Sequence, residues 1–108
     1  MICRVWRGYT LRGNAEAYER IVRGQVIPGI EAMRIQGFLH IDLMRRPVEG
    51  GVEFMTIMWF SDLDAIRRFV GEDYEVSHVP AAAQAVLERF DARATHYEVL
   101  ERRAQGGG

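Results

Sequence analysis

The run from Val52 to Phe60 constrains the fold more than any other part of the sequence. It consists almost entirely of β-branched, aromatic and other apolar residues, a composition typical of a central strand that is covered on both faces. The turn-forming stretch 47–51 precedes it, and before that turn the residues from Phe38 to Arg45 alternate like a second strand. Together these runs predict a β-hairpin.

A further strand is predicted from Ile2 to Tyr9, which is rich in β-branched and aromatic residues. Side chains alternate between the two faces of a strand, and both faces of this one carry apolar residues. The pattern therefore leaves open which face meets the core. One face would present Ile2, Arg4 and Trp6, and the other Cys3, Val5, Arg7 and Tyr9.

Two helices are predicted from apolar residues at helical spacing. The first runs from Ala15 to Val26 with Asn14 as its N-cap, and the pair Pro28-Gly29 is expected to break or kink it. The second begins after Ser61, a residue type favoured at N-caps, with Asp64 three residues later as in a capping box.

The last third of the chain predicts a third helix from Ala81 to Phe90 and a fourth strand from Arg93 to Glu101. The resulting order, β-α-β-β-α-β, is that of the α+β, ferredoxin-like split βαβ fold. This fold is a four-stranded antiparallel sheet with helices on one face. We expect one domain over residues 1–102 and a flexible, polar, glycine-rich tail over 103–108.

Composition narrows the setting in which the chain works. Its 108 residues suit one domain, and a formal net charge of −1 favours neither nucleic acid nor an anionic membrane as a partner. No apolar run approaches the ~20 residues that cross a bilayer, and Arg4 and Arg7 argue against a signal peptide. Because Cys3 is the single cysteine, an internal disulfide is excluded, and we expect a soluble, cytoplasmic protein.

The face of the sheet opposite the helices predicts a partner. Strands one and three carry apolar residues on both faces, so the face without helices would expose more apolar surface than the few hundred Å² that monomers tolerate. A two-fold homodimer, with sheet packed against sheet, would bury it.

Four stretches of the chain resemble a known family. They are Ile2–Gly8, Thr56–Ser61, Phe69–Glu75 and Thr95–Val99, and they look like the antibiotic-biosynthesis-monooxygenase-like family of dimeric α/β-barrel proteins. The resemblance covers about residues 1 to 102 and implies that fold. The family contains cofactor-free oxygenases of aromatic polyketides and haem-degrading monooxygenases.

The resemblance also implies site residues. Trp59 takes the place of a tryptophan that, in the polyketide oxygenases, lines the pocket between sheet and helices. The asparagine and the tyrosine of those enzymes are replaced here by Met55 and Ala65.

For the haem-degrading members, His78 stands at the position of the histidine that ligates iron. Their strand-one asparagine is replaced by Arg7, and their helix-two tryptophan by Arg68, or by Phe69 if the alignment is shifted by one residue. Of the three functional side chains of this branch, the chain therefore retains only the histidine, His78.

His78 is also the best general base in the chain by its chemistry, since the pKa of histidine lies near neutrality. Otherwise it would be exposed and have no function.

Arg7 would either hold an anionic or enolate oxygen in the pocket or form an ion pair on the sheet with Glu53 or Glu98. Tyr74 would either cap the pocket mouth or pack the second helix onto the third. His40 and His96 lie in strands and are interpreted as structural, and no spacing of histidines or acids predicts a metal site.

Together with these residues, the resemblance implies a small monooxygenase that needs no flavin, metal or other cofactor. A planar aromatic or quinol-type molecule would bind in an apolar pocket between the sheet and the helices, and its carbanion would reduce O₂ directly. His78 would deprotonate the substrate, Trp59 would pack on its ring and Arg7 would stabilise negative charge. The pocket would be lined by Met55, Phe69 and Tyr74.

Two alternatives remain open at this point. One is a haem-binding or haem-degrading monooxygenase that uses His78. The other is a non-catalytic dimeric module for binding small molecules, whose pocket would be filled by its own side chains, such as Met55, Met58 and Phe69.

Overall fold

An antiparallel sheet forms the centre of the protein, which the computed structural model describes over residues 1–107. The strands are β1 (Ile2–Leu11), β2 (Phe38–Val48), β3 (Gly51–Phe60), β4 (Arg89–Phe90) and β5 (Thr95–Glu98). They follow the order β2-β3-β1-β4, and β5 also pairs with β1 beyond the end of β4. Every pairing is antiparallel, and β2 and β3 form the expected hairpin.

The helices cover one face of this sheet. The helices are α1 (Ala15–Ile21), α2 (Ile27–Ala32), α3 (Leu63–Val70) and α4 (Ala81–Gln84). Side chains from α1, α2 and α3 pack in two clusters against alternate residues of β3, namely Phe54, Met58 and Phe60. Because alternate residues of a strand share a face, the helices lie on a single side, and the α+β, ferredoxin-like fold class is confirmed.

The last part of the chain differs from the prediction of a third helix followed by one fourth strand. The predicted third helix, Ala81 to Phe90, ends at Gln84, because residues 89 and 90 pair with Gly8 and Tyr9 of β1. The predicted fourth strand, Arg93 to Glu101, is shorter in the structure and spans Thr95–Glu98. Two short strands, β4 and β5, thus replace one long strand along the edge of β1.

The first helix, expected to break or kink at Pro28-Gly29, continues through Pro28. Pro28 lies in the first turn of α2, where its missing N–H costs little. The five residues before α2, Val22–Val26, form a π-helical turn that joins α1 to α2. The irregularity therefore lies just ahead of the proline, as a local widening of the helix.

The cap of α3 is Asp62 and not Ser61. The Asp62 carboxylate accepts a hydrogen bond from the Ala65 backbone N–H at 2.9 Å, whereas the backbone N–H of Ser61 donates to the carbonyl of Gly37. Asn14, the N-cap predicted for the first helix, makes no side-chain capping bond.

Substitutions at the two neighbouring cap positions distinguish them by stability. We expect Asp62→Ala to lower the free energy of unfolding by about 1 kcal/mol, because the capping hydrogen bond is lost. The matched variant Ser61→Ala should change it by less than about 0.5 kcal/mol. Urea unfolding measures both values, and an equal or larger loss in Ser61→Ala would show that the cap is wrongly assigned.

Within residues 1–107, no helix combines the length and the apolar character needed to cross a membrane.

Candidate functional site

A small cavity lies between the sheet and the helices. Its volume is about 50 Å³, and most of its wall is apolar, with Val22, Ile27 and Ile30 on the helical side. Arg4 of β1 and His78 of the connection between α3 and α4 also line it, and both lie against the ring of Phe69, which marks one end of the cavity as polar. The cavity is therefore an apolar space with two nitrogen-rich side chains at one end.

His78 lies at the mouth of this cavity. Part of its side chain is exposed to solvent, while its ring packs on Phe69 with 5.0 Å between the ring centroids. Partial burial, and secondly the positive charge of Arg4, lower the pKa of His78 below its ordinary 6.5. The imidazole is therefore neutral at pH 7 and able to accept a proton.

Arg4 is a buried cation, with 3% of its surface exposed. Its Nη1 donates to the Tyr74 carbonyl, and its Nη2 donates to the Val76 carbonyl. Its guanidinium carbon lies 5.4 Å from the centroid of the Phe69 ring. Burial lowers the pKa of Arg4 to about 10, so the group stays charged at neutral pH.

His96 of β5 completes this end of the site. Its Nε2 lies 3.1 Å from Nη1 of Arg4, and because a guanidinium only donates, Nε2 accepts and the proton resides on Nδ1. Burial, and secondly the charge of Arg4, lower the pKa of His96. Among residues 1–107, Nδ1 of His96 has no hydrogen-bond partner.

Trp6 provides an aromatic wall to the same cavity. Its indole Nε1 donates to the Asp91 carbonyl at 2.9 Å, and its ring lies 6.1 Å from that of Phe90 between centroids. The hydrogen bond fixes the indole, so the flat face available to a ligand is held in place.

Two of the residues predicted for the pocket line it: His78 and Phe69. Trp59, Arg7 and Met55 do not. Trp6 pairs with Thr56 and Arg4 with Met58, and all four line the cavity. The alternate residues must then lie on the opposite face of the sheet.

On that open face the three residues have other neighbours. The Trp59 indole donates to Asp42 at 2.9 Å, and the guanidinium carbon of Arg102 lies 4.9 Å from its ring centroid. Met55 pairs with Arg7 across the two strands. The expectation that Trp59, Arg7 and Met55 share a cavity with His78 therefore needs correction, because the inward face of β1 is the one that carries Arg4.

For Arg7, the structure shows the ion-pair alternative. Its Nε lies 4.0 Å from a Glu53 carboxylate oxygen, and Arg46 binds the same carboxylate at 2.8 Å. The hydrogen bond and charge of Arg46 lower the pKa of Glu53, and the charge of Arg7 adds to the effect. Glu53 is therefore ionised at neutral pH.

Tyr74 packs beside the cavity without lining it. Its ring lies 5.4 Å from the His96 ring and 5.8 Å from the guanidinium carbon of Arg67 on α3. Its ring neighbours thus belong to β5 and α3, whereas the packing alternative predicted that Tyr74 joins the second helix to the third, so that alternative stays a prediction. No observation here tests the catalytic roles predicted for any of these side chains, and those roles stay predictions.

Sequence reasoning missed Arg4 and Trp6 as site residues. The signal was present, since both belong to one of the two faces defined by the alternation of β1. Nothing in the pattern distinguished the inner face from the outer one, because each carries an aromatic residue, an arginine and aliphatic or small apolar residues.

Within residues 1–107, neither a cluster of metal ligands nor a haem-sized cavity is found at this site. No group of three or more His, Cys, Asp or Glu side chains in residues 1–107 is arranged to hold a metal ion. A haem needs a pocket of several hundred Å³, and the cavity beside His78 has about 50 Å³. In this conformation the cavity beside His78 is therefore too small for a haem.

Comparison with known proteins supports the fold. The chain matches no protein-family model and none of the curated proteins. Among solved structures, it is similar to a Bacillus cereus protein described as a candidate antibiotic biosynthesis monooxygenase, with 14% identity, coverage of 99% of this chain and 98% of that one, and a TM-score of 0.70.

Two other solved structures share the fold. SnoaB, a cofactor-independent oxygenase from Streptomyces nogalater, is 20% identical over 98% of this chain and 97% of its own, with a TM-score of 0.54. A dimeric ferredoxin-like protein from an uncultured marine organism is 7% identical over 96% and 98%, with a TM-score of 0.59. The chain has the fold of antibiotic-biosynthesis-monooxygenase-like proteins, which confirms the resemblance at the level of the fold.

Proposed function

We propose that the protein is a cofactor-independent monooxygenase acting on a small, planar, electron-rich hydroxylated aromatic molecule. One observation carries the proposal: a neutral histidine, His78, and a buried cation, Arg4, line one apolar cavity and both lie against the ring of Phe69. A base and a positive charge are the two groups that help a phenol to become a phenolate. The fold shared with SnoaB, described as a cofactor-independent oxygenase, supports the same reading.

The chemistry needs no group beyond substrate and oxygen. His78 takes the proton of a ring hydroxyl, and the electron-rich phenolate transfers one electron to O₂. The superoxide then combines with the aryloxyl radical at a ring carbon that bears hydrogen, and with one proton this gives a hydroperoxide. Loss of water from it leaves a quinone, so one oxygen atom enters the ring, the other becomes water, and the substrate supplies all four electrons.

The protein contributes position and environment to these steps. Trp6 and Phe69 offer aromatic surfaces to a flat ring, and Arg4 favours the anionic form of the substrate. Exclusion of water by the apolar wall strengthens these electrostatic effects. His78, Val79 and Pro80 lie on a connection between α3 and α4 that is neither helix nor strand. We propose that this connection moves outward to admit a ring larger than the cavity of about 50 Å³.

Oxygen consumption tests this function. The purified protein, treated with a chelator and checked for absence of flavin and haem absorbance, is mixed with 1,5-dihydroxynaphthalene in an oxygen electrode. We expect enzyme-dependent O₂ uptake above autoxidation, with formation of the hydroxynaphthoquinone seen by its visible absorbance. If this compound and other hydroxynaphthalenes all react at the uncatalysed rate, the proposal is wrong.

The small cavity favours a second candidate function, a non-catalytic binding module. Met58 and Phe69, two of the three side chains named for that alternative, line the cavity, whereas the third, Met55, lies on the open face of the sheet. Such a module would bind a hydroxynaphthalene, seen by quenching of tryptophan fluorescence, without consuming oxygen. The same experiment therefore separates the two candidates.

We also propose that two copies of the chain pair through the open face of the sheet. This face carries Met55, Ile57 and Trp59 of β3, beside Tyr97 of β5, which is 56% exposed. An apolar surface of this kind favours burial against a second copy. The dimeric ferredoxin-like neighbour supports the proposal by sharing the fold.

A charge placed on this face should separate the copies. Ile57 lies between Val5 and Asp42 in the sheet, near the middle of the open face. We expect light scattering to give about twice the chain mass of 12.4 kDa for the wild type and one chain mass for Ile57→Arg. The matched control Met33→Arg, at an exposed position that ends α2, should stay dimeric. A monomeric wild type at micromolar concentration would contradict the proposed pairing.

A further inference from the structure

Arg4 has hydrogen-bonding capacity that the protein leaves unused. A guanidinium carries five N–H donors, and Arg4 makes three such contacts, to the carbonyls of Tyr74 and Val76 and to His96. Two donors therefore have no protein acceptor among residues 1–107. Because Arg4 also lines the cavity, a ligand in the cavity lies beside this side chain.

The positive charge of Arg4 is also uncompensated. None of the ion pairs found in residues 1–107 includes Arg4. The titratable side chains beside it are His78 and His96, and a histidine is neutral or cationic, so neither can supply a negative charge. Glu75, the acid that acts on His96, forms an ion pair with Arg93 instead. A buried charge is costly without a partner. The site is thus a single buried positive charge beside an apolar space.

We propose that this cavity binds an aromatic carboxylate, with the carboxylate paired to the guanidinium of Arg4 and the ring in the apolar part of the cavity. A carboxylate carries one negative charge, which matches the one uncompensated positive charge, and its two oxygens suit two free N–H donors. The ring then lies among Trp6, Phe69 and the apolar wall, after the outward movement proposed above for the connection between α3 and α4 has enlarged the cavity beyond about 50 Å³. This inference deepens the proposed function, on whose site it rests, by naming the substrate class as hydroxylated aryl acids.

Charge selectivity of binding tests the inference without requiring catalysis. The probes are 1-hydroxy-2-naphthoate and its neutral counterpart 1-hydroxy-2-naphthamide, which have nearly the same size and shape. Dissociation constants are measured by tryptophan fluorescence and calorimetry in the absence of oxygen, with the full chain. We expect the wild type to bind the naphthoate at least ~10-fold more tightly than the amide, as for one charge-assisted contact.

Two substitutions assign this selectivity to one residue. In Arg4→Met the preference should fall below ~3-fold, whereas Arg20→Met, at an exposed position of α1, should keep it. Arg4 also anchors the backbone at Tyr74 and Val76, so a second variant, Arg4→Lys, retains the charge and should keep part of the preference.

The wild-type comparison decides the outcome even where Arg4→Met is unstable. Equal binding of naphthoate and naphthamide, or no binding of the naphthoate at millimolar concentration, would overturn the inference. Selective binding of the naphthoate without oxygen uptake would refute the proposed oxygenase and leave the anion site standing, so the two failures are distinguishable.

Discussion

Replacing His78 by alanine is expected to lower kcat/KM for hydroxynaphthalene oxidation by roughly 10²- to 10⁴-fold, the usual contribution of a general base. The reason is geometric: His78 is the neutral imidazole that lies at the mouth of the cavity and lines it. Loss of the side chain leaves solvent to take the phenol proton. Steady-state oxygen uptake at pH 7 measures the effect.

The pH profile adds a signature that a structural role would not produce. Because partial burial and Arg4 lower the pKa of His78 below 6.5, the free enzyme should hold the base in its active, neutral form at pH 7. Activity should therefore fall only on acidification, with the midpoint of the acidic limb of kcat/KM below pH 6.5. That limb should disappear in His78→Ala.

His40 provides the matched control. It is exposed on β2 and pairs with Trp59, so it belongs to the open face and not to the cavity. His40→Ala should retain wild-type kcat/KM and the acidic limb. Unchanged activity in His78→Ala, or an equal loss in His40→Ala, would remove His78 from the mechanism.

The largest expected effect on stability comes from Phe60→Ala. Phe60 is completely buried in the cluster beneath α3, with ring centroids 5.4 Å from Phe38 and 6.2 Å from Phe69. Truncation of a buried phenylalanine costs about 3–5 kcal/mol, from lost burial and from the cavity left behind. Because domains of this size are stable by about 5–15 kcal/mol, the variant should be markedly destabilised.

Leu100→Ala is the control for that loss, since Leu100 is 89% exposed and its truncation should change stability by less than about 0.5 kcal/mol. Urea unfolding at one fixed protein concentration compares the variants, because pairing of two chains makes stability depend on concentration. A loss below about 1.5 kcal/mol in Phe60→Ala would show that the core cluster is wrongly assigned.

Long, strongly patterned segments were predictable from the sequence. The strands at Ile2–Leu11, Phe38–Val48 and Gly51–Phe60 and the helix at Leu63–Val70 follow from composition and period. The end of the chain was less predictable. A run rich in alanine predicts helix over 81–90, but residues 89 and 90 gain more by pairing with β1, a long-range interaction that local propensity does not contain.

Only part of the candidate site was predictable, because long-range packing again decides the rest. His78 and Phe69 followed from the family resemblance. The inward face of β1 did not, since Trp6 and Arg4 on one face resemble the residues on the other. Only the packing of the helices selects between the faces, and a shift of one residue exchanges them. The tryptophan and arginine expected in the pocket are therefore Trp6 and Arg4 instead of Trp59 and Arg7.

Oxidation under oxygen-18 gas tests the central claim most directly. The chelator-treated protein is supplied with 1,5-dihydroxynaphthalene in oxygen-16 water, and the quinone product is analysed by mass spectrometry after short reaction times. A cofactor-independent monooxygenase predicts one oxygen-18 atom in the new carbonyl and one in water, at a rate that depends on His78. Quinone without the label, or a rate no greater than autoxidation, would contradict the account.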